Sequence, residues 1–107
     1  MNTKNSIFPI ALTSINSNTL LIGTYKVINS SGLPNACLSI HINNHTKDDV
    51  FVSFDGINDH DFVPMGEELR IDIPYRDCNF AKLSKIYIRG TASIGYIYLS
   101  AYYLPLT

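Results

Sequence analysis

The chain has no tryptophan, only two cysteines in 107 residues, and few charges, 16% against the roughly 25% usual in soluble domains. Each shortage excludes something. Cys37 and Cys78 stand 41 positions apart with no CxxC and no histidine pair nearby, so neither a zinc array nor a redox dithiol is present. Two readings of them stay open: a bridge between sheet neighbours, or two free, half-buried thiols in a protein assembled in the cytosol. No window approaches the ~18 apolar residues of a membrane span. The apolar run from Ile7 to Leu12 follows Lys4, but Pro9 interrupts it and no small-residue cleavage site comes after it, so it does not read as a targeting segment. Lysine and arginine form no cluster, and no RNA-binding aromatic signature accompanies them, which excludes a basic nucleic-acid footprint.

What the chain does have is apolar and β-prone. Hydrophobic residues make up 46%, with seven tyrosines and five phenylalanines. This length allows one domain and one core, and such a domain buries only about 65% of its unfolded surface, so a partner would add to a thin margin. Asn, Ser and Thr take the place of charges, which suits a surface contacted by other molecules and equally an ordinary secreted β-domain. The near-zero net charge of −1 hides a segregation. All nine acidic residues lie between Asp48 and Asp77, beside only Arg70 and Arg76, while Lys4, Lys26, Lys47, Lys82, Lys85 and Arg89 lie outside. Solubilised loops explain this, as does a head-to-tail interface between acidic and basic edges of successive copies.

Residues 1–18 show neither helical nor strand period and read as an extended arm, its Ile7, Phe8, Ile10 and Leu12 too apolar to hang free. From residue 19 to 107 the signals are those of a single β-domain. Thr19–Asn29 is β-branched and apolar around Gly23, and Gly32 with Pro34 marks a turn. Leu38, Ile40 and Ile42 alternate with polar residues, as do Val50, Val52 and Phe54, and later Leu69, Ile71 and Ile73. Asn43–Asp49 and Asp55–Asp61 read as polar loops, Phe62–Val63 as a short strand, and Pro74–Leu83 as a connection without period. Lys85–Gly90 and Gly95–Tyr103 close the chain as strands. Six or seven short strands without helical period predict a small antiparallel β-sandwich with an extended N-terminal arm.

The last two strands suggest a hairpin with Gly90 opposite Gly95. Ile88 then faces Ile97 and Ile86 faces Leu99 on one side, and on the other Tyr87 faces Tyr98 and Arg89 faces Tyr96. That register collects Tyr87, Tyr96, Tyr98, Tyr102 and Arg89 on one surface. Tyrosine is amphipathic and loses little entropy on burial, so such a face serves a protein interface, stacks on sugars, or forms the inside of a second sheet contact.

Catalytic and metal chemistry find little support. Asp55, Asn58, Asp59 and Asp61 offer hard oxygen ligands of the kind calcium takes, as a weak candidate metal site. An EF-hand is excluded, because position 6 counted from Asp55 is His60 and position 12 is Gly66. Turn chemistry explains the same residues, with Asp and Asn capping their own backbones and Gly56 at positive φ. His41, His45 and His60 are accompanied by no nucleophile elbow or other local catalytic signature. No cofactor motif is present.

A resemblance adds to this reading. Val50–Gly56, VFVSFDG, is followed by Asp59-His-Asp-Phe-Val-Pro64 and Gly66, then by the Leu69–Asp72 strand, by IYIRG at Ile86–Gly90, and by the aromatic strand Gly95–Tyr103. In this order the motifs resemble those of small virion proteins of tailed bacteriophages, over about half of the chain. The resemblance implies a non-enzymatic β-sandwich subunit of the virion, assembled in the host cytoplasm and present in many copies at the neck, tail or capsid surface. Its partners would be copies of itself and other virion proteins, not nucleic acid or membrane, and it brings no cofactor. The expected interface comprises Ile7, Phe8 and Ile10 of the arm with Tyr87, Arg89, Tyr96, Tyr98 and Tyr102. The alternative is a carbohydrate- or receptor-binding module working through the tyrosine face.

Overall fold

The computed structural model describes residues 8–73 and 79–103, and among them no helix is long and apolar enough to cross a membrane. Nine strand segments appear: β1 (Phe8–Pro9), β2 (Thr13–Asn16), β3 (Lys26–Val27), β4 (Ser39–Thr46), β5 (Val50–Ser53), β6 (Asp61–Val63), β7 (Glu68–Asp72), β8 (Tyr87–Gly90) and β9 (Gly95–Tyr103). A single 3-10 turn at Ser17–Thr19 follows β2, capped where the Asn16 side chain accepts from the Asn18 N–H.

Every pairing is antiparallel. One sheet runs β1-β9-β4-β7, with β2 lying beyond β1 along the same side of β9, and the other runs β3-β8-β5-β6. The strands therefore pair from the two ends of the sequence inward: β2 with β9, β3 with β8, β4 with β7 and β5 with β6. Two four-strand sets wound in this way are the jelly-roll form of the β-sandwich.

The alternation read from sequence sets the two layers. In β4 burial alternates along the strand, and Ile40 and Ile42 turn into the core. They meet Val50, Val52 and Val63 from the facing sheet, Ile88 beside them, and Ile97, Leu99 and Ala101 from β9. Burying each aliphatic chain contributes about 1.5–3 kcal/mol. The inward phase of β4 continues into Asn44 and Thr46, so the strand extends through residues read as a polar loop. Asn44 is buried yet fully partnered: its Nδ2 donates to the carbonyls of Asp48 (2.9 Å) and Val63 (3.0 Å), and its Oδ1 accepts from the Thr46 hydroxyl (2.6 Å). Asn29 does the same elsewhere, donating to Ser84 O and accepting from Ile86 N–H (2.8 Å).

The structure overturns three further local expectations. β8 and β9 do not form a hairpin. Residues 91–94 carry the chain from one sheet to the other, so Ile88 and Ile97 are both core residues but lie in facing layers. Residues 8–16 are not irregular, because β1 and β2 pair along β9 and Ile10 and Ile15 pack on the core. Of Thr19–Asn29, only Lys26–Val27 keeps ladder pairing, after a Leu21–Thr24 bridge.

The Cys37 thiol is free and buried, and burial pushes its pKa up; Cys78 lies outside the described residues, as does Ile7.

Candidate functional site

Separating β8 from β9 divides the expected tyrosine surface in two. Tyr87 and Arg89 stand on the outside of the four-stranded sheet, whereas Tyr96, Tyr98 and Tyr102 stand on the outside of the five-stranded one.

On the four-stranded side the polar groups are taken up within the chain. The register aligns Arg89 with Phe51 and Phe51 with Phe62, and Tyr25 lies just ahead of β3. The Arg89 guanidinium sits 4.3 Å over the Phe51 ring. It grips Asp59 with two hydrogen bonds, Nε to Oδ1 at 2.9 Å and Nη2 to Oδ2 at 2.5 Å, and Nη1 donates to the Ile22 carbonyl at 2.7 Å. The Tyr25 hydroxyl donates to the same Asp59 carboxylate. Arg89 first and Tyr25 second hold the Asp59 carboxyl below the usual range. Partial desolvation, then the Asp59 contact, pushes the Tyr25 hydroxyl up. This is a clasp joining β8 to two loops thirty and sixty-seven residues away in sequence.

The SFDG motif is turn chemistry. Ser53 Oγ accepts from the Gly56 N–H (2.8 Å) and donates to Asp55 (2.9 Å). Asp55 in turn accepts from the N–H groups of Ile57 and Asn58, and these bonds, Asn58 first, pull its pKa well below the usual range. Gly56 has φ +76°, and a Cβ there would press within 3.3 Å of the Tyr87 ring. Tyr87 therefore covers the turn. Asp61 accepts from its own neighbour, Phe62 N–H. Of the four candidate metal ligands, Asp55 and Asn58 bond each other while Asp59 and Asp61 turn to other partners, and among the described residues no three carboxylate, histidine or cysteine side chains gather as a cation site.

The five-stranded side differs. Its outward positions are Pro9 on β1, Ser14 and Asn16 on β2, Tyr96, Tyr98, Ser100 and Tyr102 on β9, Ser39, His41, Asn43 and His45 on β4, and Glu68, Arg70 and Asp72 on β7. None of these is Val, Leu, Ile or Met. The Tyr96 and Tyr98 ring centroids lie 6.1 Å apart with planes 31° from parallel, His45 meets Tyr98 edge-on at 5.5 Å, and His41 lies 5.4 Å from Tyr102.

Beside Tyr102 is a cluster that sequence reasoning missed. Ser39 Oγ lies 3.0 Å from His41 Nε2, and His41 Nδ1 lies 3.7 Å from Glu68. The spacing resembles a serine–histidine–acid triad, yet the protons run elsewhere. Ser39 donates to Asp72 at 2.5 Å, and Arg70 Nε donates to the same His41 Nε2 at 3.2 Å. The Ser39 hydrogen bond, foremost, holds the Asp72 carboxyl below its ordinary range. β4 is flanked on both sides by β9 and β7, so its N–H groups lie within ladders and offer no oxyanion hole. Its members come from alternate β4 positions and a strand thirty residues on; the period-two pattern showed each as outward-facing, but only the register shows them touching.

The arm residues are also used internally. Phe8 packs on the Tyr103 ring at 5.8 Å, and Ile10 N–H donates to Ala101 O.

Comparison with protein-family models, with curated proteins and with solved structures found no match.

Proposed function

We propose that the chain is a non-enzymatic structural subunit of a tailed-bacteriophage virion, present in many copies at the neck, tail or capsid surface and held there by protein–protein contacts. The observation that carries this reading is an apolar end to the sandwich. The connections β2–β3, β4–β5, β6–β7 and β8–β9 meet at one end, linked by Ser93 N–H to Ser17 O, Lys47 N–H to Ser93 Oγ, and Met65 N–H to Asp49. Three of them present large aliphatic side chains to solvent: Leu21 at 53%, Ile22 at 59%, Met65 at 56% and Ile94 at 76% exposure. Side chains like these, gathered at one end of a small domain, favour contact with another protein. The resemblance at Val50–Gly56 and Ile86–Gly90 supplies the virion context, and the jelly-roll form is common among capsid proteins, a fold-level analogy.

Mass spectrometry and cryo-electron microscopy of particles from the source test this directly. The expected outcome is this chain in symmetric, stoichiometric copies with Ile94 and Met65 in an interface. Its absence from purified particles would overturn the reading.

A second reading, a carbohydrate-binding module, is favoured by the composition of the five-stranded outer face.

A further inference from the structure

That outer face combines three properties. It is aromatic, with Tyr96, Tyr98 and Tyr102 successively placed on β9, and Tyr96 is 44% exposed. It is rich in uncharged hydrogen-bonding groups, since the register sets Asn16 and His45 on either side of Tyr96, and Asn43 beside Tyr98. It is also close to electrically neutral. Its formal charges are few and stand at the β7 edge: Arg70 lies 3.8 Å from Asp72, and the remaining carboxylate, Glu68, lies 3.7 Å from the His41 ring.

These properties select among possible occupants. A polyanion would need a row of free cations, and the single arginine here is already beside a carboxylate. The core of a protein interface is depleted of Ser, Asp and Glu, and this face carries Ser14, Ser39, Ser100, Glu68 and Asp72. A pyranose ring fits all three properties. It presents an apolar C–H face to an aromatic ring, its rim of hydroxyls both donates and accepts, and it carries no charge. Two tyrosines spaced along one strand match successive sugar units of a chain better than a lone monosaccharide.

We infer that the outer face of the five-stranded sheet binds a neutral oligosaccharide, with Tyr96 and Tyr98 as the stacking platform and Asn43, His45 and Asn16 bonding its hydroxyls. This is a binding activity distinct from assembly through the apolar end, and the two can succeed or fail separately.

The test uses the full chain and a panel of neutral hexasaccharides, β-1,4-linked glucose, β-1,4-linked N-acetylglucosamine and α-1,6-linked glucose, with a sialylated and a sulfated oligosaccharide as charged controls. Saturation-transfer NMR and calorimetry report binding, and size-exclusion chromatography with light scattering reports oligomeric state. At least one neutral probe is expected to bind. Tyr98→Ala and Tyr96→Ala should each weaken it by about tenfold or more, with melting temperature and oligomeric state unchanged. Phe62→Ala, on the opposite sheet, should leave affinity intact. Failure of every neutral probe, binding that survives both tyrosine substitutions, or a preference for the charged sugars would overturn the inference. So would a wild-type oligomer that Tyr98→Ala converts to monomer, since a second copy would then be the occupant.

Discussion

Arg89 on the four-stranded sheet and Tyr98 on the five-stranded one occupy equivalent situations, each pointing outward from a central strand. The polar groups that Arg89 reaches are matched within the chain: Asp59 lies under its fork, Tyr25 and the Ile22 carbonyl complete the set, and Phe51 backs the guanidinium. Around Tyr98 the neighbours are rings and amides that meet each other only loosely. A side chain whose donors are already matched contributes to holding loops together. One left with open hydrogen-bonding capacity is available to something outside. The same alternation of residues thus yields a clasp on one face and a platform on the other, and the difference lies in whether a long loop folds back across the sheet. The loop from Phe54 to His60 does so on one side only.

Three measurements sharpen this contrast. The largest effect is expected where the two sheets are equivalent, in the interior. Ile88→Ala and Ile97→Ala each remove a fully buried side chain, one from each layer, and each should cost about 2–5 kcal/mol in denaturant unfolding. Costs differing severalfold would show that one layer carries the core.

Next comes the clasp. Arg89→Ala should lower the melting temperature by several degrees and speed proteolytic cleavage in the Leu20–Tyr25 and Phe54–His60 loops. Arg89→Lys should not restore the loss, because an ammonium cannot fork onto Asp59. An unchanged melting temperature for Arg89→Ala would remove the distinction between the two faces.

The smallest effect is in acid. Asp55, Asp59 and Asp72 all titrate below their ordinary range when folded. An unfolded aspartate titrates near ~3.9, so the stability these groups contribute is complete above about pH 5 and is lost as pH falls through their folded values. Asp59→Asn should flatten the acid limb of a stability–pH profile, and Asp72→Asn should flatten it less, since Asp72 is more exposed. Equal slopes for wild type and Asp59→Asn would mean the clasp does not titrate.

Much of the layer structure was legible because alternation is a local signal. Ile40 and Ile42, Val50 and Val52, and Ile97 and Leu99 all turn inward as their spacing requires. Asn44 was misread because it keeps the inward phase while being polar, and only its partners at Asp48 and Val63 make burial tolerable. The hairpin reading failed for a geometric reason. Two strands, each with one aliphatic face, match chemically whether they lie side by side in one sheet or face each other across a core, and a four-residue link permits both. With that register went the single tyrosine surface. The partners of Arg89 were not legible, because Asp59 is thirty positions away and Ile22 sixty-seven, distances at which no pattern signals contact. The platform residues were read correctly as outward-facing, while the Ser39–His41–Arg70–Asp72 network depended on a β4–β7 register that the sequence does not print.

The inward winding of the strand pairs has a kinetic side. β4 and β5 can find β7 and β6 early, since short links join them, but β9 is the strand that β1, β2 and β4 all require. During synthesis the N-terminal third therefore emerges from the ribosome long before its partner exists, with Ile10 and Ile15 unshielded. Sheets closed by pairings of such wide sequence separation fold slowly for their size, on the order of milliseconds to seconds. A nascent chain halted before Gly95 would expose open strand edges to its neighbours, a state prone to aggregation and to chaperone capture. Folding of this domain is in that sense completed by its last strand rather than its first.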